Sequence, residues 1–307
     1  MGLKERLKRA WQILRETVDL WSAKNAFQLA GALAFYTLFS LAPLLIILTT
    51  LAGTFLGEEA VRGEISLRIA DTVGPQAAEA VEDAIRSSRI EEAGRFPTLL
   101  GVAALLFGAT TVFAQLHAAL NRIWGVTTRS VRSGLVNLAI TRLLSLALVI
   151  AIGLLLLASF VTTMATAAFL RYATRPLPLP PGTAATAELL ASLAVTTALF
   201  ALIFKLLPDV KLAWRHAIRG ALLTAILFVL GQHLISLYLT RMAPASTYGA
   251  AGSLVLLLMW VYYSALLLFF GAAYTKVSTG ARGVVVEPRG SAVRIDGHPT
   301  QGPSSPS

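Results

Sequence analysis

The sequence predicts an all-α integral membrane protein: a bundle of six transmembrane helices with an N-terminal interfacial helix and an extracytoplasmic helical hairpin. Three observations lead there. Of 307 residues, 56% are apolar and only 14% charged, against roughly 25% charged in an ordinary soluble domain. That surface could not be covered with charge in water, so a soluble globular enzyme is excluded, and the apolar fraction excludes disorder for most of the chain. Second, the chain contains uncharged runs long enough to cross a hydrocarbon core, which takes about 20 residues of helix. Third, Lys and Arg alternate in density between successive connections, as in a chain that crosses a bilayer repeatedly.

The spans are expected at about 29–55, 97–121, 143–170, 189–207, 220–240 and 250–275, together making a membrane domain over 25–276. The fourth is interrupted only by Lys205, whose stem can carry its charge to the headgroups. Summing Lys and Arg over alternate connections gives 18 on the side of both termini and 8 on the other. Both termini are therefore expected in the cytoplasm. The 58–95 loop, with nine Asp and Glu against five Arg, is expected outside. The first apolar run is too long for a signal peptide and reads as a permanent span.

Residues 1–24 read as a cytoplasmic amphipathic helix. Leu7, Trp11, Leu14, Val18 and Trp21 share one face, with Lys4, Lys8, Arg9 and Arg15 alongside, a pattern suited to the headgroup layer. The bland alternative is a helix packed on the bundle. In the 58–95 loop, Val61, Ile65, Ile69 and Val73 precede Gly74-Pro75, and Val81 and Ile85 follow. This reads as a helical hairpin with Pro75 in the first turn of its second arm. Arg175-Pro-Leu-Pro-Leu-Pro-Pro-Gly182 makes a stiff outer connection. Residues 277–307, rich in Gly, Pro and Ser toward the end, are expected to be a disordered cytoplasmic tail.

With no cysteine in the chain, disulfides, thiolate metal sites and cysteine nucleophiles are excluded. His117, His216, His233 and His298 are isolated, with no carboxylate pair nearby, and no Asp or Glu lies within any span. His117 falls roughly 8 Å inside the cytoplasmic end of its span and His233 roughly 20 Å inside the same face, at about 1.5 Å per residue. A depth difference of about 12 Å is too great for one shared metal ion. Each therefore reads as a hydrogen-bonding residue between helices, with proton transfer the alternative. No metal site, cofactor, catalytic residue or nucleic-acid partner is expected, and carboxylate-based ion coupling has little support.

Pro43, mid-span, removes a backbone donor and kinks the first helix, with Thr37 and Ser40 near the freed carbonyls. It reads as a static kink or as a hinge. Tyr248-Gly-Ala-Ala-Gly-Ser253 is a small-residue stretch suited to close helix packing or a re-entrant turn. At the inner interface, Arg122 and Asp209 form a candidate structural pair. Alternatively, Arg122, Lys205 and Lys211 form a cationic rim for phosphate headgroups or anionic solutes.

Four segments occur in order: Ala32-Leu-Ala-Phe-Tyr-Thr-Leu-Phe-Ser-Leu-Ala-Pro-Leu-Leu45, Phe113-Ala-Gln-Leu-His-Ala-Ala-Leu-Asn-Arg-Ile-Trp-Gly125, Phe204-Lys-Leu-Leu-Pro-Asp209, and Tyr248-Gly-Ala-Ala-Gly-Ser253 leading to Leu258-Met-Trp-Val-Tyr-Tyr-Ser264. Over roughly residues 10–276 the chain resembles the YihY/BrkB family of bacterial inner-membrane proteins. The resemblance implies six spans in the plasma membrane and little about activity; members have carried a misapplied ribonuclease label, and others are called virulence factors. The family's last span usually ends in Gly-Ala-Glu, where this chain reads Gly271-Ala-Ala.

The residues singled out for function are Tyr36, Pro43, His117, Asn121, Arg122, Lys205, Pro208, His233, Tyr248, Gly249, Gly252 and Trp260. The function expected is transport or handling of a lipid or small solute, with membrane lipids as partners. The rival is a non-transporting envelope scaffold or lipid-binding protein, and ribonuclease activity is not expected.

Overall fold

The structure is a computed structural model that describes residues 3–38, 40, 111–128, 183–242, 245–290 and 292–295, with scattered positions between 59 and 82. It is mostly helical: α1 (Leu3–Ala23), α2 (Ala26–Leu38), α3 (111–124), α4 (Thr183–Leu206), α5 (Trp214–Met242) and α6 (Ala245–Gly280). Two short strands complete it, β1 (Val126–Thr128) and β2 (Ala292–Arg294). Among the described residues, α4, α5 and α6 hold stretches long and apolar enough to cross a membrane: Leu189–Leu206, Trp214–Gln232 and Val255–Gly280. Several expectations fall outside the described residues. They are the later half of the first span with Pro43, the 58–95 hairpin as a unit, the start of the second span, the third span, the 175–182 connection and residues 296–307.

α1 stops where Asn25 takes a left-handed conformation, φ 56°, a strain Asn tolerates better than most residues. The Asn25 carbonyl then accepts the Leu29 amide at 3.1 Å, so one residue ends α1 and starts α2. Gly125, φ 71°, ends α3 in the same way, its amide returning to the Arg122 carbonyl at 3.2 Å.

α1 has two faces. Thr17 is buried, and Leu20 and Trp21 pack on the core, where the Trp21 ring meets Phe27 at 4.6 Å and Phe270 of α6 at 6.1 Å. Leu7, Trp11, Leu14 and Val18 stay outside, Trp11 at 68% exposure. Trp21 thus leaves the surface stripe in which its spacing placed it. The last turn of α1 is drawn inward to reach Phe270, while the preceding turns remain free.

The core lies toward one end, where α2 begins and α3 and α4 finish, α5 begins and α6 closes. Leu120, Ile123, Phe204, Leu212 and Phe269 are its largest fully buried apolar side chains. α5 and α6 meet in a reciprocal seam. A β-carbon at Gly220 would overlap the Thr275 hydroxyl and lie 2.9 Å from Thr275 Cβ. One turn along, a β-carbon at Gly271 would overlap the Thr224 hydroxyl and lie 2.9 Å from Thr224 Cβ. Both hydroxyls are satisfied inside their own helices: Thr224 donates to Gly220 O at 2.8 Å and Thr275 to Gly271 O at 2.7 Å. Each helix thus presents a glycine and a threonine four residues apart, and each threonine fills the gap left by the other helix's glycine. Such close approach drives helix association where apolar burial gives no gain over lipid.

The expectation of a disordered tail from 277 does not hold for its first part. α6 continues to Gly280, and residues 284–290 and 292–295 run back across the end of the bundle as a strap. Lys211 N donates to Glu287 O at 2.8 Å, Arg289 N to Asp209 O at 2.8 Å and Ile295 N to Gly125 O at 2.9 Å. β2 pairs antiparallel with β1, Thr127 opposite Val293. The backbone donors of this Gly- and Pro-containing stretch find acceptors in two other connections, which fixes it despite its composition.

Candidate functional site

The strap covers a polar cluster that joins α3 to the α4–α5 connection. His117 and Asn121 are four residues apart on α3 and share a face. Asp209 comes from the connection, which leaves the end of α4 through the fully buried Pro208. Asn121 grips it twice: its Nδ2 donates to Asp209 Oδ2 at 2.8 Å, and its Oδ1 accepts the Asp209 amide at 2.8 Å. These two bonds fix the orientation of the Asn121 amide. His117 Nε2 lies 3.2 Å from the same Oδ2 and 3.3 Å from Asn121 Nδ2. Because Asn121 Nδ2 already donates to the carboxylate, the consistent arrangement has Nε2 protonated and donating to Asp209. His117 and Asp209 are each about a quarter exposed, at 26% and 28%. An imidazole and a carboxylate at the end of apolar spans, both partly exposed, can receive a polar group.

The pair anticipated between Arg122 and Asp209 is replaced by this cluster, and Arg122 itself is exposed. The geometric reason is helical: residue 122 is rotated about 100° from residue 121, so it faces outward when Asn121 faces Asp209. The cationic rim is dispersed in the same way. Lys205 Nζ donates to the Leu212 carbonyl and sits 6.0 Å from the centre of the Trp214 ring, stapling the connection on itself. Lys211 pairs with Glu287 of the strap at 3.0 Å. Lys276 of α6 donates to Ile123 O at 3.0 Å, meeting the unsatisfied carbonyls that end α3.

Other candidates lie apart from this cluster. Tyr36 is on α2, its ring edge-on to Phe35 at 6.0 Å. Thr37 and Ser40 donate to the carbonyls of Leu33 and Tyr36, at 2.8 and 2.7 Å. Trp260 meets Phe228 edge-on at 6.1 Å across the α5–α6 seam. His233 is in α5, and Tyr248, Gly249 and Gly252 are in the first turns of α6. Ala273, which replaces the glutamate implied by the family resemblance, is fully buried. Among the described residues no three His, Asp or Glu side chains converge as metal ligands.

Sequence reasoning missed the central place of Asp209 and the seam. The Gly-x-x-x-Thr spacing, present once in α5 and once in α6, was the readable signal for the seam.

Long apolar helices ending in a shared basic and polar face define a multi-span helical membrane protein. The family described as "Virulence factor BrkB" matches residues 17–295, and the chain belongs to it. Its relatives include a UPF0761 membrane protein of Pseudomonas aeruginosa, 31% identical over 246 residues, covering 79% of this chain and 57% of that protein. A UPF0761 membrane protein of Psychromonas ingrahamii is 29% identical over 248 residues, 80% of each chain. One from Xanthomonas axonopodis pv. citri is 29% identical over 288 residues, 91% of this chain and 64% of that one. This chain thus spans only 57% of the length of the Pseudomonas proteins. No solved structure matches it. The family match, which ends at residue 295, takes in the described residues of the strap.

Proposed function

We propose that this protein transports or otherwise handles a lipid or small solute across the bacterial inner membrane. In this reading it has six spans, an outer helical hairpin and both termini in the cytoplasm, and its partners are membrane lipids and the transported molecule. It performs no enzymatic step and has no nucleic-acid partner. The observation that carries it is the His117–Asn121–Asp209 cluster: ionisable groups are costly beside a hydrocarbon core and are retained there for function. The exposed apolar stripe of α1, flanked by basic residues, supports placing that end of the bundle in the cytoplasmic headgroup layer.

The test is reconstitution into liposomes with a panel of labelled lipids and small solutes. Passage above protein-free vesicles, reduced in His117→Ala and Asp209→Asn at equal folded amount, is the expected result. If no member of the panel moves, or both variants move it as well as the parent chain, the reading fails. Reporter fusions after Ser87 and Ser133 check the topology: outside for the first and cytoplasmic for the second, with reversal overturning it.

A second reading, an envelope scaffold, draws on the seam. Gly220 against Thr275 and Gly271 against Thr224 leave no gap between α5 and α6, as in a static support.

A further inference from the structure

The seam between α5 and α6 ends in an unsatisfied place. The antiparallel register set by Gly220 against Thr275 and Gly271 against Thr224, carried one turn further toward the basic end, pairs position 216 with position 279. Both side chains are buried, His216 at 4% and Thr279 at 1% exposure. Among the described residues neither ring nitrogen of His216 has a hydrogen-bond partner, and neither has Thr279 Oγ1. Three such buried unpaired polar atoms on two residues are rare in a folded protein.

The charges around them share one sign. Arg215 and Arg219 bracket His216 on α5, and Arg282 follows the turn that ends α6; all three act electrostatically on the imidazole. Arg9 of α1 donates from Nη2 to the Ala281 carbonyl at 2.6 Å, which brings a fourth guanidinium beside Arg282. Among the described residues no ion pair joins any of the four to a carboxylate, whereas Lys211 and His117 have Glu287 and Asp209. A water between His216 and Thr279 would satisfy those two groups but leave the like charges of the guanidinium groups without a counter-charge. An oxyanion meets both needs. Guanidinium forks match phosphate oxygens two at a time, and the imidazole and hydroxyl offer further donors.

We propose that Arg9, Arg215, Arg219 and Arg282, with His216 and Thr279, form a binding site for a phosphate oxyanion, occupied by the phosphodiester of an anionic lipid in the leaflet at this end of the bundle. The lipid occupant rests on the membrane reading above; the oxyanion chemistry does not. The site is distinct from the His117–Asp209 cluster, which uses other helices and carries its own carboxylate.

The experiment uses the full chain in neutral detergent, titrated with dioctanoyl phosphatidylglycerol, dioctanoyl phosphatidylcholine and inorganic phosphate. Binding is read by tryptophan fluorescence, with Trp214 next to Arg215, and by the thermal unfolding midpoint. Phosphatidylglycerol should bind at least about tenfold tighter than phosphatidylcholine, and R215Q/R219Q/R282Q should lose about tenfold or more. Replacing the same three arginines by lysine should restore part of the affinity, since charge returns without the fork. K4Q/K8Q should bind as the parent does. Inorganic phosphate that saturates the site and displaces phosphatidylglycerol, with the same arginine dependence, would keep the oxyanion site and overturn the lipid occupant. Undiminished binding in the triple variant, or in R282Q should the triple variant unfold early, would overturn the site itself. No transport step enters the measurement, so a negative result removes this site and leaves the transport reading to its liposome assay.

Discussion

The α5–α6 seam and the strapped end of the bundle solve the same problem by opposite means. In the seam, contact is a matter of shape: two glycines and two threonines interlock, and each hydroxyl is satisfied within its own helix before the helices meet. At the end, contact is a matter of bonding: His117 and Asn121 on α3 meet Asp209 of the α4–α5 connection, and the bonds run between the two segments. The seam therefore has no tolerance for added volume. The polar end has little tolerance for a missing partner. Lipid-facing helices can use the first device along their length, whereas the second belongs where water and charge begin.

The sharpest way to break the comparison is to add volume to the seam. Gly220→Leu should destabilise by about 3 kcal/mol, the upper end of the usual overpacking range, because the clash is with a Cβ close to the facing backbone. Thermal unfolding in detergent checks it. Pairing Gly220→Ala with Thr275→Ala should recover much of the loss of Gly220→Ala alone, since the two positions share one space. A Leu variant as stable as the parent would mean the seam is not packed as described.

The polar end should respond less to volume and more to chemistry. Asp209→Ala strands the Asn121 amide and His117 and should cost about 2 kcal/mol. Asp209→Asn keeps an acceptor and should cost about half that. Equal losses would show that charge, rather than hydrogen bonding, holds the cluster. The smallest effect is expected at the exposed Lys211–Glu287 pair, where Lys211→Gln should change stability by less than about 0.5 kcal/mol. The strap there is held by backbone bonds from Lys211, Arg289 and Ile295, so the side-chain pair is secondary.

Much of the fold was legible because hydropathy and period are properties of neighbouring residues. The apolar stretches of α4, α5 and α6, and the two-sided pattern of α1, can be read from the chain alone. So could the shared face of His117 and Asn121, four residues apart. Their partner could not: Asp209 is 88 residues from Asn121, and the sequence offers Arg122 as an equally plausible mate. What decides between them is the rotation of α3, which only packing sets. The strap was illegible for a different reason. Its one strand is three residues long and its composition is that of a loop, so its order comes mainly from backbone bonds with remote segments. His216 likewise read as one isolated histidine, because Arg282, which acts on it, is 66 positions away in sequence and comes from the turn after α6.

The strap also dictates an order of assembly. β1 leaves the ribosome with α3, but its partner β2 emerges only after α6 has been made. Until residue 295 is synthesised, the Gly125 carbonyl and the Asp209 carbonyl lack the amides of Ile295 and Arg289. The end of the bundle is therefore finished last and by the chain's own late segment, so a nascent protein stalled before that point carries an open end. Truncations upstream of residue 295 would leave the Gly125 carbonyl without the Ile295 amide, so the closing of this end is examined only in chains that retain that residue.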